Sequence, residues 1–286
     1  MNVMNKPVQV ALRLISKLSA DLLALSLSLF CLSAQALPVH APVPGGVAVI
    51  DLATADQTPP TAHWADRSLA VVRDQGRWFA LLGIPLDTLP GKMPVRVSNG
   101  VVESVIHVTV SSKHYPEQRL TIKDKRKVEP NAEDQARIEH EQAITAAIKC
   151  SFSAAMPRTD FALPANGPLS SRFGLRRVFN GLPRNPHAGL DVAVGSGTPV
   201  YAPEDGVIAN TGDYFYNGNT VFIDHGQGLV SASMHLSTIV VRQGQVVKKG
   251  ELVGTSGATG RATGPHLHWA VFLNNTAVDP ELFLRN

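Results

Sequence analysis

Over residues 43–122 the apolar positions fall in short runs broken by turn residues. Residues 68–73 and 78–84 flank Asp74-Gln75-Gly76, and residues 95–98 and 101–110 flank Asn99-Gly100, a dipeptide that tolerates the left-handed geometry of tight hairpins. The pattern predicts a small all-β domain. The period changes over 131–149, where Ile138, Ile144 and Ile148 recur among alanines and charges, with Asn131 placed as an N-cap after Pro130. An amphipathic helix joining two domains is expected there. From about Met156 short glycine-punctuated strands return, at 198–201, 207–209, 220–223, 229–233 and 266–272. The expected fold is therefore mainly β, with an antiparallel-sheet C-terminal domain, an N-terminal β domain and a linking helix. The expected boundaries are 1–36 for a signal peptide, 37–128 for the first β domain, 129–155 for the helical linker and 156–286 for the second β domain.

The signal peptide is read from Lys6, Arg13 and Lys17, the apolar run 22–32 and the small-x-small pattern Ala34-Gln35-Ala36. Eleven apolar residues are too few to cross a hydrocarbon core, which needs about 20. Export to the periplasm or cell envelope, without a stable membrane span after cleavage, is the expectation. Bulky Phe30 before Cys31 argues against lipidation, and loss of Cys31 would leave Cys150 as the only thiol. Removing residues 1–36 changes the balance of basic against acidic residues from 26 against 23 to 23 against 22. A chain so nearly neutral, with 17% charged residues, is not composed as a nucleic-acid binder. The basic run 123–127, interrupted by Asp124, is expected to be a solvated stretch, with attraction to an anionic wall polymer as the sharper reading.

The ten histidines differ in their surroundings. His40, His63, His107, His114 and His140 have no partner at ligand spacing, and His225 reads as a turn residue after a strand. His187 precedes Asp191 by four positions, and His266 and His268 form an H-x-H pair. In a strand, residues two apart share a face, so His266 and His268 would point into one groove. Two imidazoles with a carboxylate suit catalytic zinc, which takes nitrogen and anionic oxygen donors and keeps a fourth position for water. His235, in Met234-His235-Leu236-Ser237, gains weight from that company.

Several ordered blocks carry a wider resemblance: S-R-F-G-L-R at 171–176, H-A-G-L-D at 187–191, G-T-P-V-Y-A at 197–202, V-F-I-D-H-G at 221–226, M-H-L-S at 234–237 and T-G-R-A-T-G-P-H-L-H-W at 259–269. Over residues 169–280 the chain resembles the lysostaphin-type, or LytM-like, peptidoglycan zinc metallo-endopeptidases. The resemblance implies one zinc held by His187, Asp191 and His268, catalytic roles for His235 and His266 without a division between them, and peptidoglycan as substrate. It implies an exported murein hydrolase cutting stem peptides or cross-links. The first β domain would then regulate access or bind the wall. Relatives that only bind the wall or activate other hydrolases lack some of the five residues, which is the alternative reading. A structural-zinc protein would need four closed ligands with cysteines, and Cys150 lies outside the cluster. Where the family often carries Tyr, two positions before His235, this chain has Ser233. Glycines 189, 195, 197, 257, 260 and 264 are expected to allow turns beside the metal and a loop at the groove rim.

Overall fold

The computed structural model describes residues 37–54 and 56–285, so the expected signal segment and Cys31 lie outside the described residues. The N-terminal strands are β1 (Val47–Asp51), β2 (Thr61–Trp64), β3 (Arg67–Ser68), β4 (Ala70–Asp74), β5 (Arg77–Gly83), β6 (Gly91–Ser98) and β7 (Glu103–Val110). They form two antiparallel sheets, ordered β1-β5-β4 and β3-β2-β6-β7. Between β4 and β5, Asp74 pairs with Arg77, which leaves Gln75 and Gly76 as a two-residue turn with φ of 45° and 80°. Both values are left-handed, as the tightest hairpins require. Asn99-Gly100 behaves differently from expectation. Pairing of β6 with β7 stops at Ser98 and Glu103, so the loop has four residues. The Asn99 carboxamide explains this, because it accepts from the N–H groups of Val101 and Val102 at 3.1 and 2.8 Å.

The sheet β1-β5-β4 is apolar on both faces. Ala48, Ile50, Val71, Trp78, Ala80 and Leu82 pack toward the second N-terminal sheet, against Met93, Val95, Val97 and Val108. Val47, Ala70, Val72 and Leu81 point the other way, into the core of the C-terminal domain with Leu229, Val271, Leu273 and Val278. The polar alternation of a half-solvated sheet is missing from these strands because neither face meets water. Polar contacts pin the same junction: Gln227 Oε1 accepts from Val71 N–H at 2.7 Å, and Asn274 Oδ1 accepts from Gly83 N–H.

Helix α1 (Ala132–Cys150) begins with a reciprocal capping box between Asn131 and Asp134. Its partly buried Ile144 and buried Ile148 pack on Tyr214, Phe222, Val230 and Phe272. The preceding basic run is tied down rather than wholly solvated. Arg126 reaches Asp134 at 2.6 Å, and Lys127 Nζ donates to the Phe215 carbonyl at 2.7 Å while lying 3.7 Å from that ring. Among the described residues no helix is long and apolar enough to cross a membrane.

The remaining strands are β8 (Glu117–Leu120), β9 (Leu169–Ser171), β10 (Arg176–Phe179), β11 (Leu182–Pro183), β12 (Leu190–Val192), β13 (Pro199–Tyr201), β14 (Gly206–Tyr214), β15 (Gly218–Gly226), β16 (Leu229–Ile239), β17 (Val246–Val247), β18 (Leu252–Ser256), β19 (Leu267–Leu273) and β20 (Thr276–Val278). The large sheet runs β17-β14-β15-β16-β19-β12-β9 and is antiparallel throughout, with β13, β18 and β20 attached. The one exception to antiparallel pairing among these strands is β8, which runs parallel to β10 and carries the interdomain segment past the edge of the C-terminal domain.

His225 ends β15 as a buried side chain. Its Nδ1–H donates to the Asp205 carbonyl and its Nε2 accepts from the Ser231 hydroxyl, both at 2.8 Å. Burial pushes it down to about 4. Between pH 6.5 and 4 the unfolded chain therefore binds a proton that the folded chain refuses. Stability is full above 6.5 and falls by about 3 kcal/mol as pH drops through that window. Urea unfolding from pH 7 to pH 4 should show this slope, and His225→Gln should flatten it by about one proton. An unchanged slope would refute the assignment.

Candidate active site

The sheet register brings the site together. Asp191 on β12 stands directly opposite His268 on β19, so two residues 77 apart become cross-strand neighbours. His187 is set by backbone bonds on both sides: its N–H donates to the Leu175 carbonyl and its carbonyl accepts from Gly174 N–H, each at 2.8 Å. That is the work of the 171–176 block, which holds the His187 segment beside β12. The donor atoms converge, with His187 Nε2 3.0 Å from Asp191 Oδ1 and 3.0 Å from His268 Nδ1, and His268 Nδ1 2.7 Å from the same Oδ1.

His235 occupies a corner. Up to Met234, β16 pairs with β19, and from Leu236 it pairs with β18, so the strand changes partners at this residue. Its φ is 60°, a left-handed conformation that costs a non-glycine residue of order 1 kcal/mol, although histidine is among the side chains enriched there. The bend places its ring 4.8 Å from that of His266 and 5.9 Å from that of His268. His266 lies just before β19, with Nε2 3.9 Å from Asp191 Oδ1. The five residues read from the sequence thus line a single groove of about 750 Å3. His40, His63, His107, His114, His140 and His225 do not line it.

Backbone carbonyls fix the imidazole tautomers. Nδ1–H donates to the carbonyl of Arg172 in His187, of Thr259 in His235 and of Gly264 in His266, each at 2.8 Å. Each ring is left with a lone pair on Nε2. Burial, reinforced by the neighbouring His268 and His266, pushes His235 down to about 3, so it is neutral at physiological pH. Burial also lowers His268. For Asp191 burial acts upward, but the bonds from His187 and His268 outweigh it and hold the carboxyl well below the usual carboxylate range. An ionised carboxylate and two imidazole nitrogens, all within 4.8 Å of one another, can hold a metal ion. Three donors about 2.1 Å from a common tetrahedral centre lie about 3.4 Å apart, so the separations of 2.7–3.0 Å here would have to open by about half an ångström to take the ion.

One residue of this site escaped the sequence reading. Arg177 Nη2 lies 3.3 Å from Asp191 Oδ2 and 3.2 Å from Ser171 Oγ, so it holds the second carboxylate oxygen and leaves Oδ1 to face the imidazoles. Burial lowers its pKa against the pull of Asp191. The signal was present one position past the 171–176 block, at the partly buried second residue of β10. Ser233, which replaces the usual Tyr, is buried on β16 opposite Trp269.

Gly189 is needed for space rather than for a turn. A Cβ there would lie 2.6 Å from His268 Cε1 and 2.7 Å from its Nε2, and 2.6 Å from the Trp269 carbonyl oxygen. Gly189→Ala should displace the His268 ring and weaken metal binding at least tenfold. Titration with a chromogenic chelator would measure it, and an unchanged metal affinity would show that the ring has room to yield.

Comparisons with known proteins give the chain a family. Residues 185–280 match the model of Peptidase family M23, and residues 40–113 match that of the Peptidase family M23 N-terminal domain. A Pseudomonas aeruginosa crystal structure described as a peptidase M23 aligns with 43% identity and a TM-score of 0.74, over 85% of this chain and 95% of that one. The chain belongs to peptidase family M23. It is 44% identical over 112 residues to the peptidoglycan DD-endopeptidase ShyA of Vibrio cholerae, a match covering 39% of this chain and 26% of the relative. It is 45% identical over 94 residues to the DD-carboxypeptidase/endopeptidase Mpg of Neisseria meningitidis, covering 33% and 22%. The matches thus span about a quarter of the length of these relatives.

Proposed function

We propose that the chain is an exported zinc endopeptidase that hydrolyses stem peptides or peptide cross-links of bacterial peptidoglycan. The observation that carries this reading is the convergence of His187, Asp191, His268, His235 and His266 in one groove. The first three would hold one zinc ion, and two imidazole nitrogens with the ionised Asp191 suit its donor preferences. When bound, zinc acidifies a water from a pKa of 15.7 to about 7 and polarises the scissile carbonyl. His235 and His266 share the proton work: each offers an Nε2 lone pair that can take a proton from the attacking water and return it to the leaving amine. Their Nδ1–H bonds to Thr259 and Gly264 keep those lone pairs aimed during turnover. Arg177 keeps Asp191 oriented. The relatives named as peptidoglycan DD-endopeptidases support the substrate class, and the apolar segment before residue 37 supports export. The proposed limits remain a first β domain to residue 128, a helical linker to 155 and the peptidase domain thereafter.

The test is digestion of isolated murein sacculi by the purified, zinc-loaded protein, followed by chromatography of the soluble fragments. New fragments that lack a D-alanyl to diamino-acid cross-link are the expected result. A fragment profile identical to that of untreated sacculi would overturn the reading.

A further inference from the structure

The groove and its continuation carry three guanidinium groups against a single carboxylate, Asp191, which meets only Arg177. Arg177 lines it beside the metal ligands, Arg261 lines it from the loop before His266, and Arg184 joins Arg261 where the cavity continues toward α1. Arg177 and Arg261 line the same cavity and both face the Phe179 ring, and Arg184 and Arg261 line its continuation together. Among the described residues lining the two connected cavities, Asp191 is the only acid, and it already belongs to the metal site.

Arg261 is held as a platform. Its guanidinium lies 4.2 Å from the Tyr216 ring centroid and 5.0 Å from that of Phe179, and Phe179 also faces Arg177 at 6.0 Å. Its backbone N–H donates to the Tyr216 carbonyl at 2.8 Å, and Nη1 donates to the Lys127 carbonyl at 3.3 Å. No salt bridge to Arg261 or Arg184 occurs among the described residues. A mostly buried guanidinium, stacked on rings and lacking a carboxylate, is preorganised for an anion that arrives with the substrate. Neutral substrates would leave this cluster repelling itself in a partly dry groove.

We propose that Arg261, flanked by Arg177 and Arg184, binds a carboxylate of the peptide substrate and selects acidic peptides over their amidated forms. This rests on the peptidase reading above and adds to it the charge of the preferred substrate. The carboxylate has two sources with one chemistry, a C-terminal α-carboxylate or the carboxylate on the diamino acid within the chain.

The test is calorimetric binding of a synthetic stem tetrapeptide to the full chain, compared with the same peptide amidated at its C-terminus or at the diamino-acid carboxylate. One charge-assisted contact predicts a roughly 10- to 100-fold loss for whichever amidation removes the recognised group. In Arg261→Gln that acid-to-amide ratio should approach one, and Arg261→Lys should recover only part of it, because an ammonium lacks the fork and the stacking plane. Equal binding of acid and amides by the wild-type chain would overturn the proposal without reference to any variant. A folded Arg261→Gln chain with the wild-type ratio would overturn it as well. Acid-selective binding alongside inert sacculi would leave this subsite standing and sink the peptidase reading. Digested sacculi with no acid selectivity would do the reverse.

Discussion

Replacing His268 with alanine is expected to empty the metal site and abolish peptide release together. His268 Nδ1 is one of three converging donors, and its loss leaves a single imidazole and a carboxylate to hold the ion. His235→Ala should behave differently, because that ring faces the groove without joining the three donors. Its metal content should stay near one equivalent while kcat drops by about 10²–10⁴, the usual worth of a positioned acid–base group. Elemental analysis alongside fragment release from sacculi separates the two outcomes. Full activity in either variant would remove that residue from the mechanism.

Leu81→Ala is expected to destabilise the whole chain rather than one domain. Leu81 is fully buried on β5 and belongs to the core it shares with Leu229 and Leu273. Truncating a buried leucine costs about 2–5 kcal/mol. At roughly 2–4 °C per kcal/mol for a chain of this size, the melting midpoint should fall by about 5–20 °C. Scanning calorimetry should show one transition before and after the change. Two separated transitions would mean that the shared core does not couple the domains. The same packing predicts that a chain beginning near Cys150 exposes Leu229, Val271 and Leu273 and aggregates, instead of gaining activity as a released catalytic domain would.

The residues of the candidate site were picked out in the sequence because spacing and strand alternation are local. His187 and Asp191 lie four apart, and His266 and His268 two apart. The cross-strand pairing of Asp191 with His268 was not written in either segment, yet both had to face one groove for the ordered blocks to make sense. The helix was equally readable, since Asn131 and the isoleucines state its start and its buried face, while the reciprocal bond from Asp134 was supplied by the structure. Asn99-Gly100 marked the β6–β7 hairpin but not its loop length, because the dipeptide tolerates several turns and the side chain of Asn99 holds a wider loop. Arg177 was missed because its role depends on the second oxygen of Asp191. The left-handed backbone at His235 depends on a change of pairing partners that no short window reveals. Double-sided burial of β1, β4 and β5 did leave a trace, in runs such as Val47-Ala48-Val49-Ile50 that lack polar alternation, but the covering surface lies some 200 residues further along the chain.

The bend at His235 has a consequence for how the enzyme tolerates change. Every L-residue placed there inherits a backbone angle that a flat strand would never ask for, and glycine alone takes it without penalty. His235→Gly should therefore fold at least as readily as His235→Ala while being as inactive. Some of the chain's stability is committed to keeping one imidazole turned toward the groove, and an inactive protein would be free to recover it.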